Sequence, residues 1–239
     1  FMKKKTFLVT GGTGFIGSNI SNLLVKKNCN VKIFDNNSRG SIQKIKNFKK
    51  KIKFIKGDIR NKKLLNKALK NTDAVIHLAY INGTKYFYSK PVLVLDVAIK
   101  GIINIIDGCI KNKIKELYLA SSSEVYQTPK KIPTDEKESL KIPNIFNPRY
   151  SYSGGKIITE LMGIHYGKKY FKKLIIFRPH NVYGANMGNE HVIPQFINRF
   201  RSVKGKNFKI QGTGNETRSF IYIEDFLNAF NVILNRGKH

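Results

Sequence analysis

The sequence predicts an α/β protein built on a doubly wound parallel sheet, followed by a smaller C-terminal lobe. Short apolar runs alternate with longer stretches of helical period, which is the pattern of β-α-β units. The first run ends in a glycine-rich turn, and a helical stretch follows that turn at once. The 239 residues include 41% hydrophobic residues, 16 Phe and 11 Tyr. This composition allows a buried core and excludes disordered, collagen-like and disulfide-stapled chains.

The apolar runs predict the strands of the main sheet, over residues 6–10, 31–35, 52–56, 74–78, 116–121 and 174–178. Helical periodicity between them predicts helices over 14–27, 62–71, 90–111 and 150–171. Beyond residue 178 the connections are rich in Gly, Asn and Pro, with a short strand over 208–211 and helices near 192–203 and 224–235. We therefore divide the chain into a first domain, 1–178, and a partial lobe, 179–239.

The chain is strongly basic, with 44 Lys and Arg against 15 Asp and Glu and a formal net charge of +29. A basic face can neutralise the phosphates of a nucleic acid. Here the lysines are scattered as singles and pairs and arginine is scarce. The abundance of Lys, Asn and Ile is also what a genome rich in A and T would encode. We therefore predict no nucleic-acid partner.

The cysteines and the apolar runs indicate the compartment. Cys29 and Cys109 provide no disulfide framework, which favours a reducing, cytoplasmic setting. The longest apolar runs are far shorter than the roughly 20 residues that cross a bilayer, so we expect no membrane span. The histidines show no metal-ligand spacing, and no metal site is predicted.

The turn after the first strand has glycines at positions 11, 14 and 17 and precedes a helix. Gly11 permits a tight turn, Gly14 lets the backbone approach a pyrophosphate, and Gly17 allows the helix to pack closely on the strand. The helix N-terminus offers N–H groups to the phosphates. Asp35, at the end of the second strand, suits the ribose hydroxyls of NAD and would repel the 2′-phosphate of NADP, which favours NAD. Arg39, four residues later, could instead bind a 2′-phosphate, so NADP stays open as the alternative. Asp58, after the third strand, is placed to accept the adenine amino group.

Two further motifs carry potential chemistry. Tyr152 and Lys156 are four residues apart at the start of a predicted helix, and hence on one face. A Lys ammonium near the phenol lowers the pKa of the tyrosine from about 10 toward the working pH, which makes Tyr152 a candidate general acid/base. Ser121, Ser122 and Ser123 follow the fifth strand, at the sheet edge where ligands bind in open α/β folds.

These motifs, in this order, resemble the extended short-chain dehydrogenase/reductase family, and in particular its NAD-dependent nucleotide-sugar epimerases and dehydratases. The sequence is similar to that of UDP-glucose 4-epimerases through nearly its whole length. The resemblance also includes His77-Leu78-Ala79, the segment from Arg178 to Gly184 and the segment from Arg218 to Asp225. It implies a Rossmann-type fold, NAD as the cofactor and a nucleotide sugar, expected to be a UDP-sugar, as the substrate.

The resemblance also implies roles for single residues. Ser122 would hydrogen-bond the sugar hydroxyl that is oxidised, Tyr152 would take its proton, and Lys156 would assist Tyr152. The implied cofactor contacts are Gly11, Gly14, Phe15, Ile16, Gly17, Asp35, Asn36, Asp58, Ile59, Leu78, Ala79 and Lys156. The implied substrate contacts are Ser123, Asn181, Val192 and Arg218, of which Asn181 and Arg218 would bind the diphosphate.

Family members differ in what becomes of the ketone formed when the sugar is oxidised. Epimerases return the hydride to the other face, dehydratases eliminate water, and decarboxylases lose carbon dioxide. Sugar 4,6-dehydratases carry Asp-Glu before Val-Tyr, whereas this chain has Ser123-Glu124, so an epimerase is the leading interpretation. Ser-Glu also resembles uronic-acid decarboxylases, in which Glu124 would be a working catalytic carboxylate. A decarboxylase or dehydratase therefore stays open, as does a non-catalytic NAD-binding module.

The chain departs from the family pattern at Gln127, where a glycine is usual, and at Tyr80, where a small residue is commoner. Both positions are expected near the pocket, where they would narrow or reshape it. Family members continue well beyond the helix near Asp225, so we expect this chain to be a shortened form with an incomplete substrate lobe. The resemblance also leads us to expect a homodimer formed through helices 90–111 and 150–171.

Overall fold

A computed structural model describes residues 4–189, 191–203, 207–210 and 212–237. The strands of the described chain are β1 (Thr6–Thr10), β2 (Asn30–Asp35), β3 (Ile52–Lys56), β4 (Ala74–His77), β5 (Glu116–Ala120), β6 (Lys173–Phe177), β7 (Asn181–Tyr183) and β8 (Phe220–Tyr222). Its α-helices are α1 (Phe15–Lys26), α2 (Lys62–Leu69), α3 (Thr84–Ser89), α4 (Pro91–Lys111), α5 (Tyr150–Leu161), α6 (Val192–Ser202) and α7 (Ile223–Arg236).

Strands β1 to β6 form one parallel sheet in the order β3-β2-β1-β4-β5-β6. The strand order reverses between β1 and β4, so the carboxyl ends of these two strands flank the crevice where ligands bind in such sheets. This is the predicted Rossmann-type fold, and each predicted strand of the main sheet agrees with the structure to within one residue at either end. Strands β7 and β8 form a separate parallel pair.

Successive strand residues point to opposite faces of the sheet, and each face has its own core. Leu8, Val75 and Leu117 belong to the core that the sheet forms with α2, α4 and α5. The intervening residues face a second core, which includes Ile20 of α1 and Phe230 of α7. Helix α7 therefore packs on the main sheet, although it comes from the C-terminal part of the chain. The division at residue 178 stays a prediction.

The predicted helix over 150–171 is not a single α-helix in the structure, and its helical turns end at Tyr170. The α-helix ends at Leu161, a π-helical turn spans Met162–Gly167, and a 3₁₀ turn spans Lys168–Tyr170. Gly163 and Gly167 lie in the π-helical turn, and glycine weakens a regular helix because its backbone has more freedom to lose. The change of helix type therefore coincides with the glycines.

The predicted strand over 208–211 is wrong for residues 208–210, which form no strand, and Gln211 lies outside the described residues. The Phe208 ring packs edge-on against Phe196 of α6, with centroids 5.4 Å apart. The Lys209 carbonyl accepts a hydrogen bond from the Arg199 side chain rather than from a strand neighbour. The sequence analysis also missed α3, the short pair β7 and β8, and a 3₁₀ helix over Ile42–Lys51.

Candidate active site

The glycine-rich turn joins β1 to α1 at the carboxyl edge of the sheet. Gly11 has a φ of +69°, and a Cβ there would lie 2.7 Å from the Ala79 nitrogen. A Cβ on Gly17 would lie 2.1 Å from the Gly11 oxygen. The tight turn at Gly11 and the close helix packing at Gly17 therefore both require glycine, as the sequence argument predicts.

A cavity lies between this turn and the ends of β2, β3 and β4. Its lining includes the predicted cofactor contacts Gly11, Gly14, Asp35, Asn36, Asp58, Ile59, Leu78 and Ala79. Arg39 and Tyr80, which were not among the predicted NAD contacts, also line it. Phe15 and Ile16 begin α1 and pack against the core, and Gly17 is buried behind the turn. These three residues and Lys156 do not line the cavity in this structure.

Two carboxylates stand at the cavity. Asp35 accepts hydrogen bonds from the backbone nitrogens of Thr13 at 3.0 Å and Asn37 at 2.8 Å, so it fixes the glycine-rich turn to the end of β2. Asp58 forms an ion pair with Arg60 at 2.8 Å, and hydrogen bonding to this guanidinium holds the pKa of Asp58 below its usual range. Asn36 donates to Asp58 at 3.0 Å. Asp58 is thus part of a network and not an isolated solvated residue.

This donor set fits NAD. The backbone N–H groups of the turn suit a diphosphate, the Asp35 carboxylate suits ribose hydroxyls, and Ile59 and Ile81 provide apolar walls. The Arg39 guanidinium, the alternative partner for an NADP 2′-phosphate, stacks on the Tyr86 ring of α3 at 4.6 Å from the ring centroid. The cavity therefore matches the predicted preference for NAD.

The structure brings the candidate catalytic residues together at the carboxyl end of β5. Tyr152 and Lys156 are one turn apart on α5, and both are buried. The Lys156 ammonium donates to the carbonyl oxygen of Ala120, the last residue of β5, at 2.7 Å. Ser122 follows two residues later, close enough to the Tyr152 hydroxyl to lower the pKa of the phenol by hydrogen bonding. The Lys156 nitrogen lies 5.8 Å from the centroid of the Tyr152 ring, so the serine, the phenol and the lysine meet at the end of β5.

Burial controls the acidity of the pair. It raises the pKa of Tyr152 to about 12, with the Ser122 hydrogen bond opposing the rise and the Glu124 charge adding to it. It lowers the pKa of Lys156 to about 7, opposed by the Glu160 carboxylate. The expectation that Lys156 lowers the Tyr152 pKa is therefore not met in this structure, because desolvation of the buried phenol is the largest cause and the Glu124 charge adds to it.

Ser123 and Glu124 lie in the short 3₁₀ turn Ser123–Val125 that follows β5. The Glu124 backbone nitrogen donates to the Ser122 hydroxyl oxygen at 3.2 Å, which orients the serine. The Glu124 carboxylate pairs with Arg149 at 3.4 Å and is partly exposed. The Ser123 nitrogen donates to the Pro179 carbonyl at 3.2 Å. Glu124 is therefore near Tyr152 and accessible to a ligand.

The sequence analysis missed a buried network behind these residues. Arg178 binds both oxygens of Glu160, at 2.9 and 2.6 Å, and donates to the Tyr126 hydroxyl at 2.7 Å. The Ser121 hydroxyl donates to the same Glu160 carboxylate. Glu160 lies one turn after Lys156 on α5, so its spacing could have indicated it. The network ties α5 to the ends of β5 and β6.

His77 ends β4, and its ring is buried. Its Nδ1 lies 2.8 Å from the Thr10 hydroxyl oxygen, and that oxygen also accepts the backbone N–H groups of Leu78 and Ala79. Burial, together with the charge of Lys156, lowers the pKa of His77 to about 3. His77 is thus a neutral residue that holds the end of β4 against β1.

The predicted substrate contacts of the C-terminal lobe lie apart from this cavity. Asn181 begins β7, and its side chain donates to the Ser219 carbonyl at 2.9 Å, which places it beside Arg218. Arg218 is exposed and donates to the Thr217 carbonyl at 2.7 Å. Val192 begins α6 and is also exposed. The pairing of β7 with β8 thus places Asn181 next to the segment that contains Arg218.

Comparisons with known proteins show the family of the chain. The family model "NAD dependent epimerase/dehydratase family" matches residues 7–239. The chain belongs to this family. This confirms the predicted family, and it confirms NAD as the cofactor.

The relatives perform different reactions. A dTDP-D-glucose 4,6-dehydratase of Dictyostelium discoideum is 32% identical over 247 residues, which are 97% of this chain and 56% of the relative. A putative UDP-glucose 4-epimerase of Methanocaldococcus jannaschii is 35% identical over 233 residues, covering 95% of this chain and 73% of the relative. Nucleotide-sugar decarboxylases also occur among the matches. The chain thus spans about half to three quarters of the length of the first two relatives.

A solved structure has a similar fold. The UDP-glucose 4-epimerase of Thermus thermophilus in complex with NAD superimposes with a TM-score of 0.81 and 26% identity, covering 96% of this chain and 74% of that chain. Among the described residues, no group of three or more His, Cys, Asp or Glu side chains is placed to hold a metal ion. The helices of the described ranges include none that is long and apolar enough to cross a bilayer.

Proposed function

We propose that this chain is the NAD-binding and catalytic part of a nucleotide-sugar epimerase that acts on a UDP-sugar through a transient keto-sugar. The observation that carries the proposal is the meeting of Ser122, Tyr152 and Lys156 at the end of β5. A non-catalytic NAD-binding module would have no need of this set, which supports an enzyme.

The roles follow from the contacts. The Ser122 oxygen accepts the Glu124 N–H at 3.2 Å, so the hydroxyl is oriented to hydrogen-bond the sugar hydroxyl that is oxidised. Tyr152 takes the proton of that sugar hydroxyl as general base and returns it later. In this structure Tyr152 is a neutral phenol, because burial raises its pKa to about 12. In the proposed mechanism the ammonium ion of Lys156, together with the positive charge that bound NAD would bring, favours the phenolate form during the reaction. NAD, when bound, supplies a reversible acceptor for the hydride that leaves the sugar carbon.

The remaining predicted residues would bind NAD and the nucleotide sugar. The glycine-rich turn would bind the NAD diphosphate, and Asp35 the adenosine ribose. We propose that residues 179–239 contribute to the nucleotide-sugar site, with Asn181 and Arg218 on the sugar-linked diphosphate and Val192 and Ser123 as further contacts.

Both cysteines are free, which supports a reducing compartment, and we propose the cytoplasm.

A decarboxylase is the second candidate, because one observation favours it. Position 123 is a serine, which removes the acid expected of a 4,6-dehydratase, while the Glu124 carboxylate is partly exposed, paired with Arg149 at 3.4 Å and close enough to raise the pKa of Tyr152. A carboxylate in this place could act on a uronic-acid substrate. The two candidates differ only after the ketone has formed.

The test is incubation of the purified protein and NAD with a panel of nucleotide sugars, including uronic acids, followed by mass spectrometry and NMR. The Tyr152→Phe variant is the control, and its rate is expected to fall by about 10² to 10⁴-fold. An isomer of unchanged mass supports the epimerase, and loss of carbon dioxide supports the decarboxylase. The absence of any Tyr152-dependent product would overturn both.

We also propose that the protein is a homodimer. Helix α4 exposes Val92, Leu95, Ile99 and Ile103, which recur at helical spacing. The last residue of α5, Leu161, and Ile164 in the turn that follows it are also exposed. Helices α4 and α5 pack against each other on one face of the sheet. A second copy that presents the same face would cover this apolar surface by two-fold symmetry.

A further inference from the structure

Tyr80 is a large residue at a position where the family pattern has a small one. It follows β4 by three residues, lines the cofactor cavity and is half-buried. Its hydroxyl donates to the Tyr152 carbonyl oxygen at 3.4 Å. Its ring lies edge-on to the Tyr152 ring, with centroids 5.2 Å apart. The side chain therefore reaches from the cavity wall into the candidate catalytic site.

The space for this tyrosine comes from Gly155, the residue before Lys156. A Cβ on Gly155 would lie 2.1 Å from the Tyr80 hydroxyl oxygen and 2.7 Å from the Ala98 Cβ. Any other residue at position 155 would push the Tyr80 ring aside or separate α5 from α4. The chain thus combines a large residue at 80 with the smallest residue at 155, and the two choices depend on each other.

The face of the Tyr80 ring covers the ammonium group of Lys156, whose nitrogen is 3.9 Å from the ring centroid. Lys156 is buried, and among the described residues no carboxylate lies within ion-pair distance of it. The titratable groups that face it are His77 on β4, Tyr80 and, from its own helix, Tyr152 and Glu160. Glu160 is itself neutralised by Arg178. The Ala120 carbonyl and the Tyr80 ring are therefore its nearest stabilising contacts.

We propose that Tyr80 is a positioning residue that keeps Lys156 in its ammonium form and holds it between the Ala120 carbonyl and the aromatic ring. An aromatic face attracts a cation and not a neutral amine, and the attraction is strongest where water is excluded. The ring thus opposes the loss of the proton that burial favours. This inference rests on the proposed function, in which a charged Lys156 favours the Tyr152 phenolate.

The test measures the pKa of Lys156 directly, by NMR of protein labelled with ¹³C and ¹⁵N in lysine. The Lys156 signal is the one that is absent from Lys156→Met. Tyr80→Leu removes the aromatic face, and we expect the Lys156 pKa to fall by about 1 unit. Tyr80→Phe keeps the face and is the matched control, with a pKa expected within about 0.3 units of the unsubstituted protein. In the pH dependence of nucleotide-sugar conversion, the alkaline limb should move to lower pH in Tyr80→Leu and stay in place in Tyr80→Phe.

A second measurement does not depend on the folding of a variant. In the unsubstituted protein the Lys156 nitrogen is 3.9 Å from the Tyr80 ring centroid, so we expect the Hε protons on the adjacent carbon to resonate upfield of their random-coil position. The proposal is overturned if this upfield shift is absent, or if Tyr80→Leu and Tyr80→Phe change the Lys156 pKa equally. A fall in the Lys156 pKa that is seen in Tyr80→Leu but not in Tyr80→Phe supports the role of Tyr80, even if no nucleotide sugar is converted. The failure of this inference and the failure of the proposed function are therefore distinguishable.

Discussion

Arg178 and Glu160 form a two-pronged ion pair behind the candidate catalytic residues, with nitrogen to oxygen distances of 2.9 and 2.6 Å. The Glu160 side chain is only 4% exposed and that of Arg178 17%. Arg178 also reaches the Glu136 carbonyl at 3.2 Å, so it connects the end of β6 to the long segment between β5 and α5. The pair therefore fixes three parts of the chain around Ser122.

Glu160→Gln is expected to destabilise the protein by about 3–5 kcal/mol, because it leaves the Arg178 charge buried without its partner. The measurement is urea unfolding followed by circular dichroism. The matched control is Lys62→Gln, which breaks the ion pair with Asp107 on the surface, where the Lys62 side chain is 60% exposed. That change should cost about 0–1 kcal/mol. Equal effects of the two substitutions would contradict this view of the buried pair.

Gly11→Ala is expected to weaken NAD binding by at least about tenfold, a change of about 1.4 kcal/mol. The new Cβ would lie 2.7 Å from the Ala79 nitrogen, at a φ of +69° that alanine rarely adopts. The turn would have to move away from the end of β4, and the cavity would change shape. Isothermal titration calorimetry with NAD measures the effect. Gly188→Ala is the control, because a Cβ there would come no closer than 3.7 Å to another atom; it should bind NAD normally.

His77 is expected to make the protein less stable in mild acid. Its pKa is lowered to about 3 in the folded protein, because burial excludes the charged ring, and it is near 6.5 in the unfolded chain. Between pH 3 and pH 6.5, His77 therefore takes up a proton in the unfolded chain but not in the folded protein. The free energy of unfolding should therefore fall by about 1.4 kcal/mol per pH unit as the pH drops from 6.5 toward 3.

The prediction is tested by measuring the free energy of unfolding of His77→Asn between pH 6.5 and 4.5. Its slope against pH should be shallower than that of the unsubstituted protein by about 1.4 kcal/mol per pH unit. His165→Asn is the matched control, since His165 is exposed and its replacement should leave the slope unchanged. If His77→Asn retains the full slope, another group is responsible for the acid sensitivity.

The main sheet and the meeting of Ser122, Tyr152 and Lys156 could be predicted because they follow from local rules. Parallel strands end at one edge of the sheet, and residues four apart share one helix face. The spacing of Glu160 after Lys156 could have indicated that it lies near the site, but its pairing with Arg178 could not be predicted, because a chain with this many basic residues offers many partners. The Tyr152 pKa was predicted in the wrong direction because desolvation depends on the packed structure. The contact of Tyr80 with Lys156 could not be predicted from the sequence either, because it depends on the space at Gly155 and on how α5 packs against α4.

The proposed homodimer predicts that one charge on α4 will separate the subunits. Ile99 is 37% exposed in the middle of the apolar stripe of α4, between Leu95 and Ile103. In a two-fold interface each copy would bury its own Ile99, so Ile99→Glu would place two carboxylates in one apolar contact, without partners. Light scattering coupled to size-exclusion chromatography should then change from a mass near twice the 27.3 kDa chain to the mass of a single chain. Ile145→Glu is the control, because Ile145 is 78% exposed and lies outside α4 and α5; it should remain dimeric. An unsubstituted protein that is monomeric at micromolar concentration, or an Ile99→Glu variant that stays dimeric, would show that this face is not the interface.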